Sequence, residues 1–580
     1  MIFRPRGWKV VAAVGLGSLA IYLASSVPVL SEEAKCVETD AGLSLPNGFC
    51  ATMFADKVGH ARQLVVAPDG IVYVNTWSGV YYGNDTPPAG GFLIALKDTK
   101  AAGHADVDLR FGPTAAEGAH GGTGIALYKN WLYAEINDRI VRYELKEGET
   151  APATKPETIL SGMPITGDHP MHPFAIDGQG NLFVSMGSAT NACEVQNRMP
   201  HSPGNDPCTE LETRAGIWLY DANKTDQVFS SKERYATGIR NGEGFDFDTS
   251  GRLYVTEHGR DQLHEDWPEL YTAQQGAELP AERLLMLHEG ADYGWPTCYF
   301  DPTQKKLVLA PEYGRKKVGD CAKFEPPVAA FPAHWAPNDL KIYKASQFPK
   351  GYQGGGFIAF HGSWNRAPGP QGGYNVVFQP LSDGKASGDY IVFADGFAGT
   401  YKDPGRAAHR PSGLAVGPDG ALYITDDKAG RIWRVTYNGD PNATGIEAAP
   451  APAVEAKASP EAIPPEGVHP DAGLPIPPGA TSEQVALGKK IFHGEVAGAT
   501  CAGCHGADGI GTPAGADLTL GTWLWGDGSL QSITNTIKKG VLKPKQHPGA
   551  MPPLGGVALS DNDVAAVAAY VWAIGHQKKG

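Results

Sequence analysis

Charge is scarce in this chain, and positive charge is scarcer. Only 19% of its 580 residues are Asp, Glu, Lys or Arg, and they balance to −14. A protein that neutralises phosphates needs a basic surface, so this balance argues against a nucleic-acid partner. Low charge beside 74 Gly and 46 Pro also argues against coiled coils and long solvated helices. It favours turn-rich β structure. Cysteine is sparse too, with eight in the whole chain. One apolar run stands out. Arg4, Arg6 and Lys9 precede Val10 to Leu23, with the small residues Ala24-Ser25-Ser26 behind it. That order fits a cleaved export signal. Continued to Leu30, the run is about 21 residues, roughly 30 Å as a helix, which also suits a retained membrane anchor. Either reading of residues 1–30 places the bulk of the chain outside the cytoplasm, in the periplasm.

Two of the eight cysteines have a specific spacing. Cys501-Ala502-Gly503-Cys504-His505 reads C-x-x-C-H, the attachment pattern of haem c, in which two thiols bond the haem and the His ligates its iron. Met551, in a Pro-rich loop, is the expected sixth ligand, with His547 as its rival. His/Met ligation raises the reduction potential and suits one-electron transfer. The other six cysteines fall in local pairs: Cys36/Cys50, Cys193/Cys208 and Cys298/Cys321. In an exported chain these are expected disulfides, each closing a loop worth roughly 3 kcal/mol in the chain-entropy model.

One phrase recurs along the chain: apolar residues, a tight turn, then a β-rich run. It occupies Leu64 to Val74, Ile125 to Ile136, Phe174 to Met186, Phe245 to Thr256, Leu340 to Phe360 in a looser form, and Leu414 to Thr425. Six such repeats predict an all-β six-bladed β-propeller over 36–440. From Pro441 to Pro478 the composition turns to Pro, Ala and Glu and predicts a semi-extended linker. Over 479–580 the period becomes helical. Ser482 is the expected cap of a helix through Phe492, and Ser560 caps one that places Val564, Val567, Val571 and Ile574 on one face. A small all-α cytochrome c domain is expected there.

In a propeller the loops entering the innermost strands gather at one channel mouth. Here those loops carry Arg62-Gln63, His120, Asp168-His169, Arg240-Asn241, His334 and Arg410. Several Arg around one cavity suit a polyanionic ligand, because guanidinium binds carboxylates bidentately. His169 beside Asp168 is a candidate general base. Thr256 to Leu263 is oxygen-rich and reads either as a solvated acidic loop or as a turn that holds a hard cation such as Ca²⁺.

These residues carry a resemblance. Gly238-Ile239-Arg240-Asn241, Thr256 to Leu263, Gly290 to Pro296, His361 to Arg366 and Arg410 to Gly413 resemble the pyrroloquinoline quinone (PQQ) sugar dehydrogenases, with the last two closest to the sorbosone and pyranose branch. The resemblance spans about 42–437. It implies a six-bladed propeller that binds PQQ and Ca²⁺ at the channel mouth. By position it implies His169 as base beside Asp168, Arg240 at the reactive carbonyl and Asn241 as a neighbouring contact. It implies Arg410 at a PQQ carboxylate, and the carbonyls of Gly259 and Arg260 on Ca²⁺. Arg62, Gln63, His334 and Arg366 are expected around the cofactor. Two departures stand out: Ser188 replaces the Asp that orients the base, and Ser412 replaces a second cofactor Arg.

The expectation is an exported dehydrogenase of a sugar or sugar-derived aldehyde, which uses PQQ, Ca²⁺ and one covalent haem c and delivers electrons to a respiratory acceptor. The alternatives are a Ca²⁺-dependent propeller hydrolase or lactonase, and a non-catalytic carbohydrate-binding propeller that carries a cytochrome.

Overall fold

The computed structural model describes residues 40–76, 88–314, 320–366, 369–402, 406–452 and 474–576, except 495, 498, 500, 507, 508, 510, 512, 513 and 548. The expected N-terminal signal or anchor, Cys36 of the first Cys pair, and most of the expected linker lie outside these residues. Among the described residues no helix is long and apolar enough to cross a membrane.

Each recurring phrase folds as the two innermost strands of one antiparallel blade of four strands, to which the second blade adds the short parallel strand Gln227–Val228 at its outer edge. The inner pairs are Ala61–Val66 with Val72–Thr76, Ile125–Tyr128 with Trp131–Ile136, and Phe174–Ile176 with Asn181–Met186. They continue as Gly242–Phe247 with Leu253–Glu257, Pro337–Ile342 with Gly356–Phe360, and Pro411–Val416 with Leu422–Asp426. The six first strands touch one another in a closed ring around the axis. The sixth blade takes its outer strand from the other end of the propeller, Phe49–Ala55 pairing with Ile432–Tyr437. That closure removes the free sheet edge. Phe49 locks it, packing edge-on against Phe348 and Phe393 at 4.9 Å each.

The ring is tight at its axis. A Cβ on Gly413 would sit 2.2 Å from the Arg62 carbonyl oxygen, and one on Gly244 would sit 2.4 Å from Leu340 N. Four of the six first strands also carry a register shift at their entry, at Ala61/Leu64, Gly242/Phe245, Pro337/Asp339 and Pro411/Leu414. A bulge bends the strand and re-aims its side chains. Here it lies beside the residues that reach the channel mouth.

Long excursions rise from that mouth. One, between the second and third strands of the third blade, is closed by the Cys193–Cys208 disulfide. Another, in the fourth blade, holds the short helices Leu263–Asp266 and Ala273–Glu278. A third is tied by Cys298–Cys321.

The linker boundary needs correction. Residues 441–450 still belong to the propeller: Pro441 and Ala443 carbonyls accept from Lys350 and Gly351, and Ala449 N donates to Val392. An extended Pro-rich strip satisfies its polar groups on a neighbouring surface as readily as in water, so composition alone missed this. Beyond it, the helices Ser482–Phe492, Leu530–Lys539 and Asp561–Gly575 pack together. Thr481, not Ser482, caps the first of these, in a capping box with Gln484. Ser560 caps the last, with Val564, Val567, Val571 and Ile574 buried.

Candidate functional site

Asn241 follows Arg240 at the entry of the fourth blade, His169 precedes the third, and Arg62 and Arg410 stand at the first and sixth. All five line one cavity at the channel mouth, with Asp168, Gly259 and His334.

His169 is buried at 9% exposure. Its Nδ1 faces the Ser188 carbonyl at 3.0 Å and the Ser188 Oγ at 2.9 Å. That hydroxyl gives its one proton to the Thr190 carbonyl at 2.6 Å. Both Ser188 oxygens therefore accept from His169, which assigns the proton to Nδ1 and leaves the lone pair on Nε2. Ser188 fixes the tautomer without a charge. Burial, then the charges of Arg240 and Arg198, hold this His well below its ordinary pKa, so the ring is neutral.

Arg240 is 2% exposed. Its guanidinium donates to the Asn191 carbonyl, the Asn191 Oδ1, the Gly259 carbonyl and Asp261. That uses four of five N–H groups and leaves one on Nη1. Arg410 donates from its side chain to the His361 and Gly362 carbonyls, so most of its donors remain. Arg62 is paired with Asp427 at 2.6 Å.

Several expected residues sit differently. Asp168 does not orient His169; it accepts from Arg198 at 2.9 Å and Asn197 at 3.1 Å. Gln63 turns to the Glu243 carbonyl and Asp339 and does not line the cavity. Arg366 is committed to the carbonyls of Ala277, Ala333 and Pro370, behind the wall. His334 lines the cavity, but its Nε2 donates to the Gly276 carbonyl at 2.9 Å. His120 is exposed on an outer loop. Ser412 is buried in its strand and does not line the cavity.

The sequence reading missed a buried hub. Asp261 accepts from Arg240 at 2.9 Å, Arg198 at 3.0 Å and Asn365 at 2.6 Å. Burial alone would raise its pKa, yet the two guanidinium groups hold it well below the carboxylate range. His361 donates from Nε2 to Asp427 at 2.7 Å. Burial, then Arg410, lowers its pKa to about 4. Arg198 lies inside the Cys193–Cys208 loop, where no repeat marks it.

The cavity fits a polar, anionic cofactor such as PQQ. Besides its Arg set it carries buried oxygens without hydrogen-bond partners: Asn241 Oδ1, Glu243 Oε2 and Asn365 Oδ1. Calcium fits less well. The Gly259 carbonyl is taken by Arg240 at 2.7 Å. Arg260 is anchored beside it, its guanidinium bound to Glu312 and Asp266. Among the described residues no group of three or more His, Cys, Asp or Glu is placed to hold a metal.

A second cavity lies in the helical domain. Cys501, Cys504, His505 and Met551 line it with Phe492, Ile533, Val567 and Val571. Cys501 and Cys504 are not joined in a disulfide, and the surround is apolar, as a haem requires. His505 donates from Nδ1 to the Ala516 carbonyl at 2.8 Å. That fixes the tautomer that offers Nε2 to a metal. Met551 is pinned through paired backbone hydrogen bonds with Val541, and its rival His547 lines the same cavity.

Comparison with known proteins follows this division. A cytochrome c family model matches residues 485–575, and a TrAA12-like family model matches residues 43–438. An uncharacterised protein of Borreliella burgdorferi is 26% identical over 423 residues, 72% of this chain and 95% of that protein. A PQQ-dependent pyranose dehydrogenase of Coprinopsis cinerea is 27% identical over 235 residues, 34% of this chain and 30% of that enzyme. The solved holo PQQ domain of pyranose dehydrogenase from Coprinopsis cinerea shares the fold at TM-score 0.54 and 19% identity, over 68% of this chain and 97% of that one. The calcium structure of a Trichoderma reesei enzyme of family AA12 gives 0.54 and 18%, over 69% and 99%. The chain belongs to the TrAA12-like family, with a cytochrome c domain joined behind its propeller.

Proposed function

We propose that this protein is an exported PQQ-dependent dehydrogenase of sugars or sugar-derived aldehydes, of sorbosone or pyranose type, which sends the electrons through its own haem c to a respiratory acceptor. One observation carries the reading. A neutral, tautomer-fixed His faces an Arg-lined cavity, and that cavity shares two wall residues, Ala514 and Gly549, with the haem cavity. The Cys193–Cys208 and Cys298–Cys321 disulfides support export, since such bonds persist in oxidising compartments.

PQQ, when bound, accepts two electrons with hydrogen from a substrate C–H bond. His169 takes the substrate hydroxyl proton on Nε2, so that the alcohol carbon becomes a carbonyl. Arg240 offers its remaining N–H where negative charge develops on the cofactor oxygen. Arg410 and Arg62 hold cofactor carboxylates, and Asn241 a further polar edge. Asp261 is a positioning residue: it holds Arg240 and Arg198 in place. Cys501 and Cys504 carry the haem, and His505 and Met551 hold its iron. With both groups bound, Ala514 and Gly549 would be the protein wall between the two-electron and the one-electron centre. A hydrolase needs neither this Arg set nor a one-electron centre beside it.

The test follows the haem band of the full-length holo-cytochrome after addition of aldoses, ketoses and sugar aldehydes, with PQQ and Ca²⁺ supplied separately and together. Sugar-dependent haem reduction is expected only when PQQ is present. Substrate cleavage with no change in the haem band, or equal reduction without PQQ, contradicts the proposal.

A further inference from the structure

The propeller does not close its own cavity. Ala514 and Gly549, both from the cytochrome c domain, line it together with His169, Arg240, Trp364 and Arg410. Both residues are small, and both are held from behind. A Cβ on Gly549 would sit 2.5 Å from the Ala514 carbonyl oxygen. The neighbouring Gly515 is pressed on the helix Cys501–His505, where a Cβ would sit 2.6 Å from the Cys504 carbonyl oxygen. Ala516 is tied to His505. The loop is thus braced on the helix Cys501–His505 at Gly515 and Ala516. Contact continues outside the cavity. Gln262, from the propeller, lines the haem cavity, and a Cβ on Gly556 would come within 3.6 Å of Pro200.

We propose that this roof is a specificity element: the cytochrome c domain sets the size of the sugar that reaches His169 and restricts it to monosaccharide-sized substrates. The proposal rests on the sugar-oxidising reading above. A substrate that reaches His169 shares the cavity with the wall that Ala514 and Gly549 form, and neither of these residues carries a side chain beyond Cβ. The same two residues part the cofactor and haem cavities, so the part that limits substrate size also sets the distance electrons cross.

Two measurements on the full-length holo-protein test it. In the first, kcat/KM is compared for mono-, di- and trisaccharides in the parent, Ala514→Ser and Ala514→Phe. The parent should favour monosaccharides, and Ala514→Ser should keep that order of preference. Ala514→Phe should lose about tenfold or more on monosaccharides, because an added ring overfills a packed wall. Its haem band is recorded alongside as a control, because residue 514 lines the haem cavity as well. The proposal is overturned if the parent oxidises all three lengths alike, or if Ala514→Phe matches the parent throughout. The second measurement does not depend on turnover. Ala514→Cys is treated with a small methanethiosulfonate reagent, with and without PQQ, and the parent serves as blank. PQQ should slow the reaction. An equal rate in both conditions, or no reaction in either, removes residue 514 from the cofactor cavity and overturns the roof. If no sugar reduces the parent's haem, the size limit falls with the sugar reading. The thiol result then decides whether the roof itself stands.

Discussion

Replacing His169 by Ala or Gln slows sugar oxidation by about 10²–10⁴-fold, the usual worth of a positioned general base. Stopped-flow absorbance, following cofactor and haem bands separately, measures it. The loss should lie toward the low end of that range. The partner of Nδ1 is the neutral Ser188, which fixes the tautomer but does not stabilise the imidazolium as a carboxylate does. PQQ affinity should change little, because Arg240 and Arg410 carry most of the expected cofactor contacts. The pH profile adds a second reading. Burial and the nearby Arg240 and Arg198 lower the His169 pKa below 6.5. A lowered pKa keeps Nε2 unprotonated as the pH falls, so the acid limb of kcat/KM should lie below pH 6.5 and should vanish in both variants. Parent-like rates in both would move the base elsewhere. His361, held by Asp427 on the same cavity, would be next in line. His334 has both ring nitrogens occupied, Nε2 on the Gly276 carbonyl and Nδ1 3.6 Å from Asp261, and His120 does not line the cavity.

Replacing Cys501 and Cys504 together by Ser abolishes covalent haem and, with it, electron delivery to an added ferric cytochrome c. Sugar oxidation with ferricyanide, a small oxidant able to reach the propeller cavity directly, should continue. The contrast follows from geometry. The machinery that removes hydrogen stands on propeller loops, whereas the outward electron route begins behind Ala514 and Gly549. Absorption spectra confirm the missing haem, and parallel assays with the two oxidants give the result. Undiminished reduction of ferric cytochrome c by the haem-free variant would show that electrons leave by another route.

The parts of this molecule legible in its sequence are those that repetition or fixed spacing enforces. Six phrases became six blades because each inner strand pair must alternate apolar residues against its neighbours and turn tightly between them. C-x-x-C-H set the haem cavity, since its chemistry admits little variation in spacing. Cys193–Cys208 and Cys298–Cys321 were visible as local pairs. Direction was not visible. Gln63 follows Arg62 in the same strand, yet only Arg62 reaches the cavity, because the register shift at that entry decides which side chain turns inward. Asp168 and His169 are neighbours in sequence but belong to different networks, one bound to Arg198 and the other to Ser188. Arg366 lay within a motif that the resemblance marked, and its guanidinium still braces the wall from behind. Arg198 and Asp261 stand on long excursions that no repeat constrains. Their pairing spans 63 positions in sequence, and no local pattern announces it. The roof was hidden for the same reason: nothing in residues 514 or 549 speaks of cavity residues such as Arg410, more than a hundred positions away.

The most direct test of this account is the rate of haem reduction by sugar in the PQQ-loaded, full-length protein, measured in a single turnover at serial protein dilutions. Electrons that cross from the propeller cavity to the haem of the same chain give one first-order rate constant at every dilution. A rate constant that falls in proportion to protein concentration, or haem that stays oxidised while the sugar is consumed, would contradict it.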